Sequence, residues 1–351
     1  MARARELGIR IGSLEPGPLD AITDVAGVRV GHTTLVEGTD VRTGVTVVVP
    51  GELPCFAAPF RLNGNGEMTG LEWVRESGFL TSPVGLTNTH SVGVVRDALV
   101  AAEVDRGEDL WHLPVVAETW DGLLNDVDGM RVRAEHVFQA LESAAAGPVA
   151  EGSVGGGTGM IAHGFKGGIG TASRVVERGH TIGVLVQANH GRRSRFAVEG
   201  APVGLELGPE RVPLPGGPEA AGSIIVLVAT DAPLLPHQCT RVAARAALGI
   251  ARTGGAGETS SGDLVLAFAT GNRELLGADS SGTVPARMLA DEELNPVFYA
   301  TIEATEEAIV NAMLAAETMT GRRGTTAHAL DGEALVEIMR RHGRLEPGTR
   351  S

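Results

Sequence analysis

Residues 219–231 read EAAGSIIVLVATD. From Ser223 to Ala229 the run never alternates with polar residues, so both of its faces favour burial. A short segment of this kind is a central strand, covered on both sides, in a layered fold. The stretch in front of it, LGPERVPLPGGPE (207–219), is rich in Pro and Gly and reads as an exposed loop. A Gly-Ser pair at the junction of loop and buried strand raises a question of chemistry as well as of structure.

Other short Val/Ile-rich runs surround this one. GVRVGHTT (27–34), GVTVVVP (44–50), VGLTNT (84–89), LPVVAET (113–119), TIGVLVQAN (181–189) and DLVLAFAT (263–270) read as strands. Segments 91–105, 131–146, 237–253 and 292–319 read as helices, with Pro236 opening the third and Pro296 near the start of the fourth. Strands and helices without strict βαβ alternation indicate an α+β fold in layers. Loop 207–220 interrupts one core rather than dividing two domains, because strands flank it.

Composition narrows the function. The chain has 351 residues, 43% hydrophobic and 21% charged, as in ordinary globular proteins. Its 49 glycines are about twice the usual share, which implies many tight turns and close backbone approaches. A net charge of −14 argues against nucleic acid or an anionic membrane as partner; Arg192, Arg193 and Arg195 form too short a basic cluster to change that. Cys55 and Cys239 supply neither a disulfide framework nor a zinc pattern. No apolar segment at the N-terminus reads as a signal peptide and none is long enough to cross a membrane, so a cytoplasmic location is expected.

The glycine-rich stretch GSVGGGTGMIAHGFKGGIGTAS (152–173) fits a nucleotide site poorly. A G-x-G-x-x-A reading through Gly157, Gly159 and Ala162 lacks the preceding strand and following helix, and Lys166 is followed by Gly167 where a P-loop needs Ser or Thr. A glycine-lined hairpin that admits another backbone fits better. His32, His90, His163 and His190 stand near strand ends and read as local hydrogen-bonding residues. No H-E-x-x-H or Cys/His spacing suggests a metal, and no G-x-S-x-G suggests an α/β-hydrolase; no cofactor is expected.

Gly222-Ser223 has suitable chemistry for self-cleavage. Glycine offers an unhindered carbonyl, and the Ser223 hydroxyl could attack it, shift the acyl group from N to O and release it by hydrolysis. The freed α-amine has an unperturbed pKa of about 7.7–8.0, near the optimum for a general base. One residue would then carry nucleophile and base together.

The segments PGPLDAITDVAGVRVGHTT, LNGNGEMTG, TNTHSVGVVRDA, VVAETWDGLLND, EGSVGGGTGM, TIGVLVQANHGRR, GSIIVLVATDAPLLPHQ and SSGDLVLAF follow in order over about residues 16 to 270. Together they resemble the DmpA-type L-aminopeptidase/D-esterase-amidase family, which includes the β-aminopeptidases. The resemblance implies a four-layer αββα sandwich, as in the ornithine acetyltransferases. It also implies self-processing into an α polypeptide, 1–222, and a β polypeptide, 223–351, with oligomers of αβ units. Carried over by motif, Ser223 matches the nucleophile, with the cut after Gly222, and Asn189 matches an oxyanion-hole amide. Ser261 and Asp263, the latter a glutamate in many relatives, match the pair that contacts the nucleophile's new amine. Glu118 matches the partner of the substrate ammonium. Trp120 stands where the family pattern has a tyrosine; its indole N–H can donate but has no lone pair to relay a proton. The expected activity is hydrolysis of an amide or ester next to a free amine, in aminoacyl or β-aminoacyl amides and small peptides, through an acyl-enzyme. The alternatives are an acyltransferase or amide endo-hydrolase on the same scaffold, which typically use threonine, and an unprocessed binding protein.

Overall fold

The computed structural model describes residues 2–107, 111–216, 222–277 and 280–345. In chain order its elements begin β1 (Arg29–Glu37), β2 (Val41–Val49), β3 (Cys55–Gly64), α1 (Leu71–Ser77), β4 (Phe79–Leu80), β5 (Val84–Asn88), α2 (Val92–Asp105), β6 (Val115–Thr119) and α3 (Ala134–Glu142). They continue with β7 (Ile161–Ala162), β8 (Phe165–Lys166), β9 (Gly168–Val175), β10 (Thr181–Asn189), α4 (Val203–Glu206), β11 (Ser223–Thr230), α5 (Pro236–Arg252) and β12 (Gly262–Ala269). Last come α6 (Leu294–Leu314), β13 (Met319–Thr320), β14 (Thr326–Ala327) and α7 (Gly332–Arg341).

Two sheets stack face to face. One has the order β1-β2-β5-β6 and the other β4-β3-β12-β11-β10-β9. β11 is central in the larger sheet, antiparallel to β10 and parallel to β12. Its side chains alternate between two cores: Ile224, Val226 and Val228 join the cluster under α5 and α6, while Ile225, Leu227 and Ala229 join the one between the sheets. The smaller sheet repeats this logic. Val48 of β2 faces the inter-sheet core, and Val45, Val47 and Val49 face α2 and α3. The result is the expected αββα sandwich.

Several elements differ from the sequence reading. The second of the helices read from sequence, 131–146, spans only Ala134–Glu142. The fourth begins at Leu294, so Pro296 lies in its first turn, where a missing N–H costs nothing, and it ends at Leu314. β3, β9, α1 and α7 were not read as regular elements. Strands β10 and β11, on either side of loop 207–220, pair along their length. Within that loop residues 209–216 are mostly exposed, and 217–220 lie outside the described residues. Among the described residues no helix is long and apolar enough to cross a membrane.

From Thr301 onward α6 is buried almost all round, yet it carries Glu303, Glu306 and Glu307. Burial of these carboxylates depends on cations. Arg174 of β9, itself fully buried, pairs with Glu303 and Glu307; Arg5 also pairs with Glu307, and Arg252 of α5 pairs with Glu306. The Ala4 N–H donates to Asn311 Oδ1 at 3.0 Å, so the N-terminal segment is tied to the same helix.

Candidate active site

The C-terminal ends of β5, β6 and β10 meet the N-terminal ends of β11 and β12 around a cavity of about 430 Å³. Gly222, Ser223, Asn189, Glu118, Trp120 and Ile161 line it, together with Asn65–Glu67 from the NGNGEMTG loop and Gly159 from the glycine-rich stretch. Both loops thus border the cleft.

Ser223 opens β11 and is only 5% exposed. Its Oγ accepts a 3.1 Å hydrogen bond from the Gly262 N–H. In the β10–β11 ladder it stands opposite Asn189. Gly222 is packed so closely that a Cβ there would lie 1.5 Å from the Asn189 carbonyl oxygen, so this approach admits only glycine.

The Asn189 side chain is oriented by its neighbours. Its Oδ1 accepts from the Ile161 N–H at 2.8 Å, and its Nδ2 donates to the Trp120 carbonyl at 2.9 Å. The amide nitrogen has a second hydrogen, which remains for an oxygen in the cleft. The Trp120 side chain is 43% exposed at the cavity wall, so its backbone carbonyl, rather than its indole, is what fixes Asn189.

Ser261 and Asp263 lie behind Ser223. Ser261 Oγ donates to Asp263 Oδ1 at 2.5 Å, and Asp263 stands beside Ile224 in the β11–β12 ladder. Burial raises the Asp263 carboxyl above the usual carboxylate range, while the Ser261 hydroxyl and the Ile224 N–H favour its ionised form. Both residues are buried and neither is part of the cavity lining, whereas Ser260 is.

Glu118 ends up in the opposite wall, 3% exposed. Burial raises its carboxyl too, opposed by donation from Thr89 Oγ1 to Oε2 and from the Glu67 N–H to Oε1. Thr89 and Glu67 were not singled out individually from sequence. Asp121 is a further residue that sequence reasoning missed. It is 1% exposed, accepts from Asn88 and Asn125, and is pushed up to about 6 by burial. It anchors the Trp120 turn to the end of β5. The motif ETWDGLLND that carried Glu118 contains it, which was the available signal.

The glycine-rich stretch is a tight turn at Gly155–Gly157, then the β7–β8 hairpin, then β9. Its glycines do admit other backbone: a Cβ on Gly159 would lie 2.3 Å from the Arg42 carbonyl oxygen. Of the histidines, His32 contacts Thr46 Oγ1 at 2.9 Å. His190 departs from the expected role: its ring is buried against His163, and neither ring nitrogen has a hydrogen-bond partner among the described residues. Cys55 and Cys239 are free and buried.

The profile of peptidase family S58 matches residues 20–327. The β-peptidyl aminopeptidase BapA of Sphingosinicella microcystinivorans is 46% identical over 98% of this chain and 93% of its own length. Among solved structures, a Burkholderia sp. β-aminopeptidase superposes with a TM-score of 0.92 at 53% identity, covering 99% of this chain and 100% of that one. The L-aminopeptidase D-Ala-esterase/amidase of Ochrobactrum anthropi, described as a prototype for the serine aminopeptidases and a variant of the Ntn hydrolase fold, gives 0.90 at 43% identity, covering 99% and 100%. With this fold and these matches over nearly its whole length, the chain belongs to peptidase family S58 and is a hydrolase, an aminopeptidase on that variant of the N-terminal-nucleophile fold.

Proposed function

We propose that the chain cuts itself between Gly222 and Ser223 and then works as an N-terminal-serine aminopeptidase on β-aminoacyl amides and short peptides with a β-amino terminus. The observation that carries this reading is the position of Ser223: the first residue of a central strand, in the cavity wall, opposite Asn189 and sharing the cavity with the buried Glu118. Two of the relatives above, at 46% and 53% identity, are named for β-amino substrates, which favours that class over α-aminoacyl amides.

In processing, Ser223 Oγ attacks the Gly222 carbonyl. The C–N bond breaks, nitrogen takes the proton, and water hydrolyses the resulting ester. An unperturbed α-amine titrates at about 7.7–8.0, and the one so freed serves as general base. Asp263, which accepts from Ser261 and pairs in register with Ile224, next to Ser223, steers that amine in this reading. In turnover the amine takes the Ser223 hydroxyl proton as Oγ attacks the substrate carbonyl. The Asn189 amide donates to the oxyanion, and the proton passes to the leaving amine. Water then repeats the attack on the acyl-enzyme and regenerates Ser223. Glu118 holds the substrate ammonium, and Trp120, Leu123 and Ile161 supply the apolar walls around the acyl chain.

The test is intact mass under denaturing conditions, beside Ser223→Ala, followed by rates on β-homoalanyl and L-alanyl p-nitroanilides. Two fragments meeting at 222/223, lost in Ser223→Ala, with faster release from the β-amino substrate, are expected. A full-length active protein would overturn the processing mechanism, and faster release from the α-amino substrate would overturn the substrate class.

A further inference from the structure

Lys166 is the only lysine in the chain; the other 28 of its 29 basic residues are arginines. It is also fully buried. Among the described residues no carboxylate pairs with it. Its ammonium instead faces three backbone carbonyls: Gly167 at 2.8 Å, Met160 at 2.9 Å and, more loosely, Gly157 at 3.4 Å. A compact ammonium has three tetrahedral donors and suits such a cage, whereas a planar guanidinium does not. This is the one place where the chain uses lysine in preference to arginine. Burying a cation without a counter-charge is costly, so the position needs an explanation beyond packing.

The Met160 carbonyl supplies it. That carbonyl belongs to the same peptide unit as the Ile161 N–H, which donates to Asn189 Oδ1 at 2.8 Å. The hydrogen bonds therefore run in series, from Lys166 Nζ to the Met160 oxygen, through the peptide to the Ile161 N–H, and through the Asn189 amide to the Nδ2 hydrogens at the cleft. Each donor in such a chain polarises the next, and a charge at its head strengthens all of them. Lys166 also sits opposite Ile161 in the β7–β8 hairpin, and the Gly167 N–H donates to the Met160 carbonyl at 2.8 Å, so that peptide cannot easily turn away.

We propose that Lys166 is a positioning residue for catalysis: its buried ammonium locks and polarises the Met160–Ile161 peptide, and through it makes Asn189 a stronger oxyanion donor. The inference rests on the role given to Asn189 above. Burial pushes the Lys166 amine down to about 7, but the three carbonyls act in the opposite direction, because only the ammonium can donate to all of them.

The experiment is a double-mutant cycle on the processed enzyme, with Lys166→Met and Asn189→Ala and rates normalised to the fraction cut by mass. Lys166→Met should lower kcat about 10-fold or more with little change in KM, as expected for a contact that matters only in the transition state. In the Asn189→Ala background the same change should have almost no effect. Wild-type kcat in Lys166→Met, or an equal loss in both backgrounds, overturns the inference and leaves the reading of the site intact. An unimpaired Asn189→Ala enzyme overturns that reading, and the inference with it. Should Lys166→Met fail to fold or process, ¹⁵Nζ-lysine labelling of the wild type gives a single side-chain signal. A protonated ammonium at the pH of maximal kcat is expected there, and a neutral amine overturns the proposal.

Discussion

Ser223 and Asn189 are register partners at the open end of the β10–β11 ladder, one the first residue of its strand and the other the last. The proposed nucleophile and oxyanion donor are thus set side by side by one strand pairing. Asn189→Ala should lower kcat about 10²–10³-fold, the usual loss for one oxyanion donor. Asn189→Asp keeps the acceptor for the Ile161 N–H but turns a carboxylate toward the oxyanion, so it should be slower still. Steady-state kcat on one amide substrate checks both, and an Asp variant faster than the Ala variant would remove Asn189 from the oxyanion role.

Gly222 has a steric duty beside the chemical one proposed for it. A methyl group there would meet the Asn189 carbonyl oxygen far inside contact distance and push Ser223 out of register. Overpacking of this kind costs about 1–3 kcal/mol, occasionally more. Gly222→Ala should therefore process much more slowly than the wild type and melt at a lower temperature as the uncut chain. A time course of intact mass with a parallel melt decides it; wild-type cleavage would show that the head of β11 can yield.

The strands that build the site were legible because they are apolar on both faces: β10, β11 and β12 offer no other reading. β9 was not, because GIGTASRV is made small by its neighbour; a Cβ on Gly170 would lie 2.0 Å from the Ala308 carbonyl oxygen of α6. β3 was obscured by Pro59 and a polar end, both tolerated because β4 pairs only with Cys55 and Phe56 and leaves the rest of that edge free. At the site, Ser223, Asn189 and Glu118 came from ordered motifs, and the structure brings them to one cavity. What the motifs could not convey were backbone partners. The Trp120 carbonyl, the Ile161 N–H and the Glu67 N–H have no side-chain signature, yet they orient Asn189 and Glu118.

Glu118 gives a pH-dependent prediction. It must be ionised to hold an ammonium group, and burial already raises its pKa. Thr89 donates to the ionised form, so Thr89→Val should raise that pKa further. KM for an aminoacyl amide should then begin to climb at a higher pH, as pH falls, than in the wild type. Glu118→Gln should lower kcat/KM about 10- to 100-fold, the size of a lost charge-assisted hydrogen bond, and abolish that pH dependence of KM. A KM profile unmoved in Thr89→Val would mean that another group holds the ammonium.

If the chain is cut at 222/223 as proposed, buried ion pairs should help keep the two polypeptides together. Arg174 lies in β9, before the cut, and Glu303 and Glu307 lie in α6, after it. The fully buried guanidinium reaches Glu307 Oε2 at 2.5 Å and Glu303 Oε2 at 3.3 Å, and also donates to the carbonyls of Ile11 at 2.6 Å and Ser173 at 2.7 Å. Arg5, also before the cut, adds a second cation on Glu307 at 3.0 Å. Arg174→Met keeps much of the side-chain volume but leaves two buried carboxylates short of a partner. Breaking a buried pair in this way costs about 3–5 kcal/mol. Urea unfolding of the processed protein should show that loss, and size exclusion at low concentration should show the fragments separating earlier than in the wild type. A variant within about 1 kcal/mol of the wild type would mean that apolar contacts between α6 and the β9–β10 face hold the halves together without the ion pairs.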